Sequence, residues 1–392
     1  EHDSDHGATR VAVVTGSRAE FGLLAPVMDA IRGEAGLELL VVAAGSHLVQ
    51  PALTFRDVRT RYEVAESVPM QVAGRTGRWA DVEAVGRGVA RFGRSFERLG
   101  PDWVVVLGDR IEAFAAASAA SIGGVRVAHL HGGDVAEGVA DEAMRHAITK
   151  LSHLHLAATE ASARRIRLMG EPADSIEVIG SPALDGLGSI PEADDAAWAE
   201  AGRPEVVLLW HPIGRTDAEE RADAERVLGA LDGRRVLALH PNLDPGRDGV
   251  LAGLRAAGGA AGAAAEDGVR VVEHLPRGTF VGVLKRLART GGALVGNSSA
   301  GLIEGPAIGC PVVDIGPRQA GREAPGSVCR IGVIDVESVR AAVDAVVGGG
   351  GVEPSVLYGR GDAGERAARA LLGAGDSGGG SARKRYSDPG EG

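Results

Sequence analysis

The chain has 392 residues, 44% apolar and 24% charged, a globular composition with room for two domains of about 150 to 200 residues each. No uncharged apolar run of about 18 residues occurs and the polar, acidic start does not read as a signal peptide, so a soluble, cytoplasmic protein without membrane contact is expected. The formal charge of -11 argues against nucleic-acid binding, and the two cysteines, Cys310 and Cys329, make neither a disulfide framework nor a thiolate metal site.

Short apolar runs alternate with helix-length segments. In the first half, residues 11–15, 39–43, 103–107, 125–130, 155–158 and 176–179 read as buried strands, and residues 112–121, 141–152 and 160–169 as helices. Residues 188–203, with Pro191 and many acidic and small side chains, read as a domain linker. The alternation then resumes, with strands over 206–210, 236–239, 269–272, 293–295 and 312–315 and helices over 217–231, 249–257, 280–288 and 301–308. This pattern predicts an α/β protein of two doubly wound, Rossmann-like domains, residues 1–187 and 188–372. Its default ligand site is a cleft between their strand C-terminal ends. Residues 256–265 are almost pure Ala and Gly, a helix end or an expanded loop. Residues 373–392 are Gly, Ser and charge, and read as a disordered tail with a small basic cluster at 383–385.

The acidic total does not exclude a small anionic ligand, which needs only a few Arg side chains and backbone N–H groups. Of the 42 basic residues only Lys150, Lys285 and Lys384 are lysine; the Arg excess, like the 59 Gly, reads mainly as compositional background. Three positions stand apart from it. The loop from Gly16 through Arg18 to Gly22 lies between a strand and a helix, where it is a phosphate site or an ordinary tight turn. It lacks both the dinucleotide fingerprint and P-loop spacing. Asp109 follows Gly108 at the end of the strand 103–107, either pointing into the crevice or capping the next helix. The densest ionisable cluster is His129, His131, Asp134, Glu137, Asp141, Glu142, Arg145 and His146. His129 and His131 share a side if the strand continues through them, and Asp141 and Arg145 are one helical turn apart. Carboxylates converging on one pocket divide acid and base roles. A metal site competes, but no HExxH or facial-triad spacing is present, so no metal or cofactor is expected. His146, His153 and His155 read as packing residues.

In the second half, His211 ends one strand, and His240 with Asn242 ends the next, so both imidazoles are expected at one rim, to contact a phosphate or serve as an acid. The run Gly296-Asn297-Ser298-Ser299-Ala300-Gly301 opens a helix with Glu304 one turn in, which suits a diphosphate and a ribose.

With those residues in place the chain resembles the UDP-N-acetylglucosamine 2-epimerase family, and within it the hydrolysing branch that feeds sialic and related nonulosonic acid synthesis. The resemblance rests on TGSRAEFGLL (15–24), LGDRIEA (107–113), HLHGGDVAEG (129–138), DEAMRHAITKLSHLHLAATE (141–160), IGSPALD (179–185), GNSSAGLIEGPAIGCPVVDIGPRQAGRE (296–323) and YGRGDAGERAARAL (358–371). It implies the glycosyltransferase-B fold with an active-site cleft between two domains, and a homodimer. It also implies metal-free chemistry on a UDP-sugar: removal of the C2 proton, loss of UDP to give a 2-acetamidoglucal, and addition of water to give N-acetylmannosamine. By this resemblance Asp109, Asp134 and Asp141 are the acid and base groups. Arg18, Ser298, Ser299, Glu304 and His211 hold UDP, Arg145 orients the carboxylates or the diphosphate, and Arg318 and Arg322 lie on a loop near the cleft.

Two departures bear on this. Asp134 stands where the family usually has Glu, one methylene longer, and His240 opens a segment that commonly starts with Tyr. They leave open a changed sugar such as a 2,4-diacetamido-trideoxy hexose, a variant reaction on a related UDP-sugar, and, through Asp134, a binder that has lost catalysis; the nonhydrolysing reaction to UDP-ManNAc is the alternative within the family.

Overall fold

Continuous apolar runs become strands buried on both faces, the pattern of parallel sheets covered by helices on each side. The computed structural model describes residues 7–50, 52–135, 142–242, 244–258, 268–376 and 384. They divide into two compact units: the described residues of 1–134, 141–185 and 359–392, and those of 135–140 and 186–358.

The first unit begins with β1 (Thr9–Thr15), α1 (Arg18–Gly33), β2 (Leu37–Ala44), α2 (Phe55–Arg61), β3 (Val64–Val68) and α3 (Arg78–Leu99). It continues with β4 (Trp103–Leu107), α4 (Ile111–Ile122), β5 (Arg126–Leu130), α5 (Glu142–Leu151), β6 (Leu154–Ala157), α6 (Glu160–Leu168) and β7 (Ile176–Val178). The seven strands are parallel in the order β3-β2-β1-β4-β5-β6-β7. Alternate β1 residues feed two cores. Val11 and Val13 pack with Leu24, Met28 and Ile31 of α1; Ala12 and Val14 pack with Phe92 and Phe96 of α3. Because order reverses between β1 and β4, the loops that follow these two strands diverge and leave a crevice at their C-terminal ends.

The second unit holds α7 (Asp195–Glu200), β8 (Val206–Leu209), α8 (Asp217–Ala230), β9 (Val236–Leu239), α9 (Arg247–Gly258), β10 (Val269–Val272) and α10 (Arg277–Arg289). Then come β11 (Ala293–Gly296), α11 (Glu304–Ala307), β12 (Val312–Ile315), β13 (Val328–Ile331) and α12 (Val336–Val346). Its six parallel strands run β10-β9-β8-β11-β12-β13, with the reversal between β8 and β11. The start of α8 carries a reciprocal cap between Thr216 and Glu219.

Three expectations are corrected. The expected linker contains a short 3-10 turn, Leu187–Ser189, and the helix α7. The last helix, α13 (Ala363–Asp376), belongs to the first unit and not the second, and runs past the expected start of the tail at Gly373. Asp185 fixes it there, accepting from the amides of Ala363 and Gly364 at 3.0 and 2.7 Å. A Cβ on Gly364 would meet the Pro26 carbonyl oxygen at 2.5 Å, so glycine is what lets α13 lie against α1. Finally, the expected helix 301–308 is a 3-10 turn, Ser299–Gly301, followed by the four-residue α11.

Candidate active site

Each sheet places its candidate residues at its own reversal point. In the first unit Gly16 follows β1, and Gly108 and Asp109 follow β4. Asp109 does not cap α4, whose cap position is Arg110 without a side-chain bond. Its carboxylate instead accepts from the Nη2 of Arg145, a buried residue of α5 whose Nη1 donates to the carbonyl oxygen of His131 at 3.0 Å. Arg18 is exposed in the first turn of α1, behind the cap Ser17.

His129 and His131 part company, because β5 ends at Leu130 and His131 turns into the left-handed region with φ +59°. His129 Nε2 donates to the Gly108 carbonyl at 2.8 Å, and burial pushes the imidazole down to about 3, so it is neutral and pins the turn that carries Asp109. His131 lies between Asp134 and Ser181: Nδ1 is 2.9 Å from Asp134 Oδ2, and Nε2 is 3.2 Å from Ser181 Oγ. Asp134 is 3% exposed and its other oxygen accepts from Ser162 Oγ at 2.8 Å. Both Asp134 oxygens are therefore engaged inside the protein. Asp141 and Glu137 lie outside the described residues. Of the three packing histidines, His155 is buried against Glu171 at 3.0 Å, His153 accepts from the Val127 amide at 3.1 Å, and His146 lies 3.7 Å from Glu142.

In the second unit the organising residue is Asn297, just after β11. Its side chain bridges to the backbone of His211 in both directions, Oδ1 accepting from the His211 amide and Nδ2 donating to its carbonyl, each at 2.8 Å. The Asn297 carbonyl accepts from Arg318 Nη1 at 3.2 Å and from Gln319 Nε2 at 3.0 Å, and Gln319 in turn receives Arg322 Nη1 at 3.1 Å. The Asn242 amide donates to His211 Nδ1 at 3.1 Å, which fixes the tautomer with its proton on Nε2. Burial and the nearby Arg318 push His211 down to about 3. It is thus a neutral hydrogen-bond donor at pH 7, not a protonated acid.

His211, Asn242, Arg318 and Arg322 are brought together in this way. Gly296 stands at their base with φ +141°, where a Cβ would overlap the Leu209 carbonyl oxygen. Ser298 caps the 3-10 turn through the Ala300 amide at 3.4 Å. Glu304 begins α11, and burial pushes its carboxyl up, opposed by Arg277. His240 follows β9; burial and Arg247 lower its imidazole, and its Nδ1 has no hydrogen-bond partner among the described residues.

Residues 29–372 match the UDP-N-acetylglucosamine 2-epimerase family model. The chain belongs to this family. It is 31% identical to the UDP-N-acetylglucosamine 2-epimerase of Neisseria meningitidis serogroup B, over 81% of the chain and 82% of that protein. It is 29% identical to the UDP-N,N'-diacetylbacillosamine 2-epimerase (hydrolyzing) of Legionella pneumophila, over 91% of the chain and 94% of the relative. Among solved structures, a UDP-GlcNAc 2-epimerase from Neisseria meningitidis bound to UDP-GlcNAc superposes with TM-score 0.72 at 17% identity, covering 93% of this chain and 100% of that one. That likeness carries the fold: the expected α/β class, two doubly wound domains of the glycosyltransferase-B type, is that of the family's structures.

Some residues that matter in this family member escape sequence reading. Asn297, Gln319, Ser162 and Ser181 act through partners far away in the chain, so no local spacing marks them. Glu20 and Glu112 stand inside quoted motifs, yet each reads as a favourable acid in the first turn of a helix. Among the described residues no group of three His, Cys, Asp or Glu is arranged to hold a metal ion, and no helix is long and apolar enough to cross a membrane.

Proposed function

We propose that the chain is a hydrolysing UDP-N-acetylglucosamine 2-epimerase, converting UDP-GlcNAc and water to N-acetylmannosamine and UDP. The observation that carries this reading is the carboxylate of Asp109, gripped by Arg145 at a strand end whose turn is pinned by His129. A base fixed at the mouth of a reversal-point crevice suits the removal of a weakly acidic C–H proton.

In this scheme Asp109 takes the C2 proton. The electrons of that bond form the C1–C2 double bond while the C1–O bond breaks, and UDP leaves with its electron pair, giving 2-acetamidoglucal. Water then delivers its oxygen to C1, and C2 regains a proton on the opposite face. Asp141 is the partner acid. Asp134 serves through His131, since both of its oxygens are already bound. Departure of UDP is helped by donors that match a diphosphate: Arg18, Arg145, Arg318, Arg322, the Nε2 of neutral His211, and the hydroxyls of Ser298 and Ser299. Glu304, together with Gly296, His240 and Asn242, takes the nucleoside end. The enzyme is proposed to act as a cytoplasmic homodimer without metal or cofactor.

The relatives named as hydrolysing support UDP release over a reversible epimerisation. The Legionella relative, matched along 94% of its length, also favours a second reading in which the sugar carries acetamido groups at both C2 and C4. NMR of the reaction in deuterated water tests both. Free N-acetylmannosamine bearing deuterium at C2, together with free UDP, is the expected result. Intact UDP-ManNAc would overturn hydrolysis, and faster turnover of UDP-N,N'-diacetylbacillosamine would favour the second sugar.

A further inference from the structure

Beneath the first loop lies a buried acidic pair that the scheme above does not use. Glu20, on the first turn of α1, is 3% exposed and turns back so that its Oε2 accepts from the Gly16 amide at 2.9 Å. The side chain of Glu112, on the first turn of α4, is fully buried. Its Oε1 accepts from Gln71 Nε2 at 2.9 Å; its Oε2 makes no hydrogen bond among the described residues and faces Arg110 Nε at 3.4 Å.

The two acids meet at Gly16. A Cβ on Gly16 would lie 2.5 Å from Glu112 Cγ, and one on Gly45 would overlap Glu112 Oε1, so these two glycines form the socket in which Glu112 sits. The Gly16 backbone is gripped from both ends, its amide by Glu20 and its carbonyl by Ser46 Oγ at 2.8 Å. The loop that leads to Arg18 therefore rests on two carboxyl groups. In so dry a pocket two carboxylates do not both carry charge at low cost. Burial pushes Glu20 up to about 8; the charges of Glu112 and Asp109 add to this, while Arg110 and the Gly16 amide oppose it.

We propose that Glu20 and Glu112 are a positioning pair for anion binding by residues 16–18: together they hold Gly16 in its ligand-ready form, and a second negative charge on the pair releases it. The proposal rests on the reading of this loop as part of the diphosphate site. Neutral Glu20 both fills the pocket and leaves Glu112 as the one charge opposite Arg110. When Glu20 ionises, repulsion within the pair drives apart the groups that Gly16 joins.

The other titratable and charged groups around the pair are His47 and Asp57, Asp81 on α3, and Asp109 and Arg110 after β4. His47, hydrogen-bonded to Thr15 and Thr54, is held down at about 4 and is neutral throughout the alkaline range. Arg110 keeps its charge there.

The test uses the full chain. UDP affinity is measured by calorimetry across the alkaline range in the wild type, Glu20→Gln and Glu112→Gln. Glu20→Gln keeps an acceptor for the Gly16 amide but cannot ionise. For the wild type a fall of about tenfold is expected from about pH 7 to about pH 9, the loss that a single required proton produces. Glu20→Gln abolishes the fall; Glu112→Gln, which removes the charge that helps raise Glu20 and the repulsion within the pair, weakens the fall and moves its midpoint to lower pH. Hydrogen exchange of residues 16–20 without ligand reads the same release, corrected for the intrinsic pH dependence: protection falls in the wild type and persists in Glu20→Gln. The same alkaline behaviour in the wild type and Glu20→Gln overturns the pair. Failure of the wild type to bind UDP at pH 7 overturns the diphosphate reading instead, and the exchange comparison still decides whether the pair holds the loop.

Discussion

Arg145 joins Asp109 to His131 through its two terminal nitrogens, Nη2 gripping the Asp109 carboxylate and Nη1 the carbonyl oxygen of His131. One side chain thus sets the proposed base and also supports a residue in the left-handed region, a conformation that costs of order 1 to 3 kcal/mol and clusters at functional sites. Only a planar fork makes both contacts at once.

Asp109→Asn is expected to lower kcat by about 10^2- to 10^4-fold, the range of a lost acid or base, with UDP affinity little changed. Steady-state rates together with UDP calorimetry check it. An unchanged kcat would remove Asp109 from the chemistry. Arg145→Lys should lower kcat as well, because an ammonium cannot reproduce the two-armed grip on Asp109 and the His131 carbonyl.

Asp134 invites the opposite experiment. The resemblance leads one to expect Glu here, yet Asp134 is packed between Ser162 and His131 with both oxygens engaged. Asp134→Glu forces an extra methylene into this pocket and is expected to destabilise by about 1 to 3 kcal/mol, measured by denaturant unfolding, without raising kcat. A gain in kcat would show instead that the shorter side chain limits proton transfer in this chain.

The strands were legible wherever both faces are buried. Residues 103–107 and 236–239 are unbroken apolar runs, and they are strands over those residues. α3 gave no comparable signal, because its buried face is built from Ala84, Gly88, Ser95 and two phenylalanines, and small residues there leave no apolar stripe. Gly88 is small for a tertiary reason: a Cβ would meet the Ala115 Cβ of α4 at 2.9 Å. In β13 the half-buried Cys329 and exposed Arg330 broke the run. The site divides in the same way. Asp109 was readable because a carboxylate at a strand end is a local pattern; the role of Asn297 depends on His211, Arg318 and Gln319 arriving from other elements. No local pattern could tell that α13 returns to the first unit, since that depends on Asp185 capping it across the length of the second.

Gly296 tests whether the second unit's reversal point depends on close backbone approach. With φ +141° and the Leu209 carbonyl where a Cβ would sit, Gly296→Ala must push β11 away from β8 or strain the chain. A loss of stability above about 1 kcal/mol is expected, with a larger proportional loss of UDP affinity because the Asn297–His211 bridge follows directly. Thermal unfolding and UDP calorimetry measure the two, and an unchanged UDP affinity would show that the bridge does not position the nucleotide.

Acid sensitivity follows from the buried imidazoles. Burial holds His129 and His211 down at about 3 and His47 at about 4, all below the ordinary value of 6.5. Between these values the unfolded chain binds protons that the folded chain does not, so folding stability is fully present above about pH 6.5 and falls as the pH drops toward 4 and then 3. Carboxylates contribute to acid unfolding as well, which makes the comparison with a variant decisive. His129→Gln retains a donor for the Gly108 carbonyl and cannot be protonated in this range, so the fall in its melting temperature between about pH 6.5 and about pH 4 should be shallower than in the wild type. Parallel profiles would mean that His129 is already protonated in the folded protein, and the neutral pin beneath Asp109 would have to be abandoned.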